Sequence, residues 1–317
     1  MDRRLDPFRR RPLENCQKCP NRDEREQNLD RGICNLNKSV FDGLPLRCVG
    51  EWANEKIHYL VRYFDIFTTG MHKKWGGNLR YIEICSGPGR CSTRDGYEQD
   101  GTALAILNHK AVAYIQSAIF IDNNQESVDA LNQRIKKMNV TDKAIAFIGD
   151  YKDGDSILSA MNQRPCDGLT LCFVDPTSCD IPFSTIEAIS SCTGKVDFIV
   201  SFFSNLDFRR NGADAALNPE FEVARLKYET FAGCKGFFER PDVKTAAEHR
   251  KHDDLLRLFM HAYRESLSRI GKIAQDTVSI REYYHLLFAT GHSRGLDFWK
   301  KAKSTDITGQ KCLPGLE

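Results

Sequence analysis

The stretch Tyr81-Ile82-Glu83-Ile84-Cys85-Ser86-Gly87-Pro88-Gly89-Arg90 constrains this chain more than any other, because an apolar run carrying one acid passes straight into a tight glycine turn. Such a run reads as the first strand and ligand-binding turn of a Rossmann-like sheet. Gly87 and Gly89 let the backbone approach a nucleoside where a Cβ would clash, with Cys85 in the same turn. Glu83 sits where a carboxylate meets cationic or hydroxyl groups, and S-adenosylmethionine offers both. A dinucleotide turn needs a third small residue to pack helix on strand, whereas Arg90, Cys91 and Ser92 follow Gly89. The turn thus favours an adenosyl-sulfonium ligand over NAD, with an ordinary structural turn as the bland alternative.

Further strand ends arrive in the order such a sheet requires. Residues 115–121 form an apolar run ending at Asp122-Asn123, and an ionised acid there accepts two hydrogen bonds from a ribose diol. Glu83 and Asp122 are 39 residues apart, so an extra segment around 96–109 is expected. Residues 144–148 end at Gly149-Asp150-Tyr151, where a carboxylate can bind the adenine amino group and an aromatic can stack on the base. Residues 169–174 end at Asp175-Pro176-Thr177-Ser178, and Asp175 is the candidate for the reacting centre. Near-continuous apolar runs with polar residues at their carboxyl ends are what a parallel sheet buried on both faces shows. The expected cofactor residues are Glu83, Cys85, Gly87, Gly89, Asp122, Asn123, Asp150 and Tyr151.

A fifth run, 196–203, leads into Ser204-Asn205-Leu206-Asp207-Phe208-Arg209-Arg210-Asn211. The glycine turn, Asp100-Gly101-Thr102-Ala103, the Asp175-Pro176 step, this polar run and the late Tyr283-Tyr284-His285-Leu286-Leu287-Phe288-Ala289-Thr290 stretch together resemble the three-Cys-motif partner family, over roughly residues 50–303. The resemblance implies a class I methyltransferase-like Rossmann fold, mostly parallel with an antiparallel last strand. It also implies a bacterial or phage protein that works with a separate three-cysteine-motif protein. By position Asp207, Arg210 and Asn211 look like the family's polar cluster, so the catalytic candidates are Asp175, Asp207 and Arg210. Thr177-Ser178 departs from the family's aromatic-glycine continuation.

That departure bears on the acceptor. Amino-group methylation of nucleic acids normally uses an aromatic after the Asp-Pro step to stack an extruded base, which Ser178 cannot do. Pyrimidine C5 methylation needs a cysteine nucleophile, and the spacing of Cys179 and Cys166 fits neither common arrangement. Phe202, Phe203 and Phe208 could form a stacking wall or simply be core. Two functions stay open: an S-adenosylmethionine-dependent methyltransferase with nucleic acid as a candidate acceptor, and a non-catalytic methyltransferase-like binding subunit of a two-protein system.

The 317 residues can bury a sizeable core, and the net charge of +2 does not mark a globally basic nucleic-acid binder. No apolar run approaches the roughly 18 residues of a membrane span, and no signal peptide is evident, so a cytoplasmic protein without a membrane partner is expected. Twelve cysteines in such a chain argue for buried thiols or metal ligation over disulfides. Cys85, Cys91, Cys172, Cys192 and Cys234 read as small hydrophobes. Cys16, Cys19, Cys34 and Cys48 lie in a charged segment with few large apolar residues, where zinc, or alternatively an iron–sulfur cluster, would supply missing folding energy.

The expected organisation is a cysteine-rich extension (1–50), a helix packing on the core (51–78), the Rossmann-like core (79–211), a helical insertion or lid (212–268), closing strands (269–303) and a tail (304–317). The apolar stripe over residues 52–67 predicts the first helix, and that over 253–270 the main helix of the insertion.

Overall fold

The computed structural model describes residues 37–93, 97–281 and 283–311. A short strand β1 (Arg47–Val49) and the helix α1 (Ala53–Met71) precede β2 (Leu79–Ile84), and the glycine turn then delivers the chain to a hairpin, β3 (Arg90–Thr93) and β4 (Glu98–Asp100), and a short helix α2 (Thr102–Leu107). Next come β5 (Ser117–Asp122), α3 (Gln125–Lys137), β6 (Ala144–Ile148), α4 (Gly154–Asn162), β7 (Leu169–Val174), α5 (Phe183–Thr193) and β8 (Val196–Phe202). The helices α6 (Arg209–Leu217), α7 (Glu222–Ala232), α8 (Pro241–Glu248) and α9 (His252–Arg269) separate β8 from β9 (Ala274–Ile280) and β10 (Tyr284–Thr290), and α10 (Ser293–Lys303) follows.

The main sheet has the order β6-β5-β2-β7-β8-β10-β9. Its pairs are parallel except that β10 runs antiparallel to both neighbours. This is the Rossmann-like class I methyltransferase sheet. The chain winds outward from β2 to β6, then returns to β7 on the other side of β2, so the carboxyl ends of β2 and β7 flank the switch point where such sheets take ligands. Every residue of β2, β5 and β8 is buried, as a sheet covered on both faces demands.

Alternation along β2 divides two cores. Ile82 and Ile84 join the cluster built with α5 and α6 to α9, while Leu79 and Tyr81 join that built with α1, α3 and α10. The helical insertion packs as a brace: Phe208 stacks on Phe259 at 3.8 Å, and Tyr263 meets Phe183 and Phe202 edge-on. Of the cysteines read as small hydrophobes in or near core elements, Cys91 and Cys172 are buried and Cys85 and Cys234 half-buried, but Cys192 is exposed near the end of α5, which corrects its reading as a small hydrophobe. Among the described residues no helix is long and apolar enough to cross a membrane.

The long spacing between the glycine turn and Asp122 has a concrete origin. Where a compact Rossmann unit would start a helix, this chain makes the β3–β4 hairpin, and β1 pairs with β3 in parallel to give a second, three-stranded sheet. Arg134 of α3, 3% exposed, holds the approach to β1 in place. Its guanidinium donates to both oxygens of Asp42 at 2.9 Å and to the carbonyls of Pro45 and of Pro88 in the glycine turn. Burial alone would raise the Asp42 carboxyl, but the hydrogen bonds and charge of Arg134, with the Leu44 N–H, hold it down at about 2. Arg134→Met should strand that carboxylate and cost about 3–5 kcal/mol of stability in urea unfolding, as removal of one partner of a buried pair does. A loss below 1 kcal/mol would mean the clamp is incidental.

Candidate functional site

At the carboxyl edge the turn adopts a conformation few side chains tolerate. Gly87 and Gly89 have φ of +62° and +90°, and Cys85, which carries a Cβ, also has φ of +65°. A Cβ on Gly89 would lie 2.8 Å from Leu131 Cδ1. The strained turn is tied to β5: Cys85 N–H and Ser86 N–H donate to the Ile121 carbonyl, and Gly87 N–H donates to Asp122 Oδ2 at 2.8 Å. The other Asp122 oxygen accepts from Asn124 N–H at 3.0 Å. Each carboxylate oxygen keeps a lone pair for a ligand hydroxyl.

Three adjoining cavities cross the strand ends. The first, about 50 Å³, lies at the turn between Gly87, Gly89, Thr102, Lys56 and Asp175. The second, about 370 Å³, shares Arg47, Cys85 and Pro88 with it and contains Asp122, Asn123 and Tyr151. The third, about 400 Å³, shares Asn123 and Tyr151 with the second and adds Ile148, Gly149 and Asp150. Cys85, Gly87, Gly89, Asp122, Asn123, Asp150 and Tyr151 are thus brought into one groove. The Tyr151 hydroxyl donates to Asp180 at 3.3 Å, and burial together with that carboxylate raises its pKa. A groove of about 420 Å³ between α1 and α10, lined by Arg62, Asp65 and Phe298, takes no residue from a strand end.

Glu83 departs from its expected place. It is fully buried, accepts from Tyr81 Oη at 2.7 Å and from the Thr102 hydroxyl, and reaches the first cavity only through Thr102. Burial pushes its carboxyl up to about 8, against the opposing pull of the Thr102 and Tyr81 hydroxyls. Asp175 stands at the cavity's edge, where Lys56 Nζ donates to one oxygen at 2.5 Å and Ser201 Oγ to the other at 2.6 Å.

The polar run after β8 divides. Asp207 turns into the protein, accepting from Cys179 N–H, Lys227 Nζ and Tyr228 Oη at 2.7–2.8 Å, and so latches the loop after β7 to α7. Asn211 bonds the Asp207 carbonyl, and Arg210 is exposed on the first turn of α6. None of these residues lines the groove, nor does any residue of the insertion. Asn37, Lys38, Pro45, Leu46 and Arg47, from the segment before the core, line the second cavity instead. Phe202 and Phe208 are core, while Phe203 stacks on Tyr284. Cys179 is fully buried with its thiol pushed well up by burial, unsuited to nucleophilic attack. Cys16, Cys19 and Cys34 lie outside the described residues. Cys48 is half-buried in β1, and among the described residues no His, Cys, Asp and Glu cluster could hold a metal.

Sequence reasoning missed Arg47, Lys56, Ser86 and Ser201. Lys56 had a readable signal: with Ala53, Leu60, Tyr63 and Phe67 it falls on the buried stripe of α1, an odd place for a cation without an anionic partner.

No family model matches the chain, and no curated protein matches it. Solved structures similar to it include the O-methyltransferase TomG of Streptomyces achromogenes in complex with SAM, at 12% identity over 84% of this chain and 86% of that one, with a TM-score of 0.38. An O-methyltransferase from Bacillus cereus in complex with SAH matches at 12% identity over 86% and 91%, with a TM-score of 0.37. None of these likenesses bears on the acceptor.

The raised Glu83 carboxyl gives a signed expectation. Native Glu83 holds its proton to about pH 8, whereas the unfolded chain releases it near the ordinary 4.5. Its contribution is therefore fully present below about pH 4.5 and fades as pH rises toward 8. Urea unfolding should show wild type losing stability relative to Glu83→Gln across that window. A pH-independent difference would place the carboxylate in its charged form throughout.

Proposed function

We propose that this chain is an S-adenosylmethionine-dependent methyltransferase. The observation that carries the reading is the groove across the carboxyl ends of β2, β5, β6 and β7, with Asp122 fixed beneath a turn whose φ of +62° at Gly87 and +90° at Gly89 disfavours any side chain. A second observation sets the dinucleotide alternative aside. The turn leads into β3, not into a helix N-terminus, and the Cys85, Ser86 and Gly87 amides that could cradle a phosphate already donate to Ile121 and Asp122.

The residues present suit an adenosyl ligand. Asp122 accepts from the ribose hydroxyls, Ile148, 51% exposed, offers the base an apolar face beside Tyr151, and Asp150 accepts from its amino group. When bound, S-adenosylmethionine supplies an electrophilic methyl group. Asp175 orients the acceptor nucleophile and takes its proton, while Lys56 and Ser201 hold the carboxylate in place. The acceptor stays open, with nucleic acid as one candidate, and a separate three-cysteine-motif partner protein is carried by the sequence resemblance alone; transfer to a protein or small molecule only would remove nucleic acid. Metal ligation by Cys16, Cys19, Cys34 and Cys48 likewise rests on the sequence. Metal analysis giving about one zinc per chain supports it, and metal-free protein removes it.

Titration with S-adenosylhomocysteine tests the reading. Wild type should bind, and Asp122→Ala should weaken affinity by about 1–3 kcal/mol through lost charge-assisted hydrogen bonds. Asp175→Asn should bind the ligand as wild type does and depress methyl transfer. No heat from folded wild type would sink the methyltransferase reading and leave the binding-subunit reading in its place.

A further inference from the structure

Cations at the groove differ in what they face. Lys56 is paired with Asp175, and Arg90 with Glu98 at 3.0 Å. Lys38 is exposed to solvent. Arg47, half-buried in β1, lines both the first and second cavities, and among the described residues no carboxylate or carbonyl receives its guanidinium. Its Nη1 stands over the glycine turn, 3.8 Å from where a Cβ on Gly87 would be. In the first cavity there is a second group of the same kind: Ser86, 8% exposed, whose Oγ has no hydrogen-bond partner among the described residues.

A planar guanidinium and a buried hydroxyl, both without an acceptor and lining one cavity, call for a small anion with several lone pairs. A carboxylate meets a guanidinium with two parallel hydrogen bonds and can accept a third from the serine. Phosphate fits less well, because the turn amides that would share its charge are already committed. The position agrees, since Arg47 lies where the cavity at Asp122 meets the cavity at Gly87, beyond the ribose-binding acid.

Resting on the methyltransferase reading, the geometry points to Arg47 and Ser86 as the binding site for the α-carboxylate of the cofactor's amino-acid arm. The segment before the core thereby supplies part of the cofactor site. Arg134, which anchors Asp42 and Pro45 as well as Pro88 of the turn, keeps β1 and the turn at a fixed spacing for that ligand.

Calorimetric titration of the full chain with S-adenosylhomocysteine and with 5′-methylthioadenosine, which keeps the base, ribose and sulfur but lacks the amino-acid arm, tests this directly. Arg47→Gln should weaken S-adenosylhomocysteine roughly 10- to 100-fold, as loss of a charge-assisted pair does, and change 5′-methylthioadenosine by less than about twofold. Ser86→Ala should show the same selectivity with a smaller loss, and Arg47→Lys should recover part of the affinity. The assignment is overturned if Arg47→Gln and Ser86→Ala, melting cooperatively as wild type does, weaken both ligands alike or neither. Wild type that binds S-adenosylhomocysteine no tighter than 5′-methylthioadenosine overturns the carboxylate site and leaves the cofactor reading standing. Wild type that binds neither overturns both.

Discussion

The hydrogen bond from Gly87 N–H to the Asp122 carboxylate, with those from Cys85 and Ser86 to Ile121, joins the first strand's turn to the end of its neighbour. Much else depends on that tie. It holds Cys85 in a left-handed conformation that a β-carbon disfavours, and it fixes Asp122 so that its remaining lone pairs face the groove. It also commits the amides that a phosphate would need, which narrows the ligand class without any side chain touching the ligand.

Around this tie three acids with little access to water are each met by hydrogen-bond donors. Glu83 takes two hydroxyls, Asp197 takes Tyr63 Oη at 2.9 Å, and Asp42 takes Arg134. Acids with little access to water are costly unless their lone pairs are filled, so Glu83 and Asp197 on strands and Asp42 in a turn are each met by a donor from another element. At the groove Arg47 and Ser86 are donors without acceptors among the described residues, and both line one cavity. Unspent hydrogen-bonding capacity beside a strained turn is where a ligand contributes most.

The sheet was largely legible because its signals are local. Ala144–Ile148 and Leu169–Val174 coincide with their apolar runs, which turn residues bound on both sides. Residues 115–121 shift to Ser117–Asp122, since Ile115 closes a 3₁₀ turn over Lys110–Tyr114 and contributes burial without pairing. The β3–β4 hairpin was not legible: Arg90-Cys91-Ser92-Thr93 shows no apolar alternation, and its pairing depends on β1 and on the Arg90–Glu98 ion pair. Site residues divide the same way. Acids at strand ends were found by position, but position cannot say which way an acid turns. Asp207 faces inward because Lys227 and Tyr228, twenty residues on, supply its donors. Arg47 escaped because its neighbours at the groove are distant in sequence, and the odd cation on the α1 stripe, Lys56, could be noticed but not matched to Asp175, 119 residues on.

A crystal structure of the full chain with S-adenosylhomocysteine tests the central claim most directly. The account predicts the ribose hydroxyls within hydrogen-bond distance of Asp122, the base between Ile148 and Tyr151, and the amino-acid arm crossing Gly87 toward Arg47 and Ser86. A ligand bound away from Asp122, or a turn whose Gly87 N–H leaves that carboxylate when the ligand enters, would contradict it.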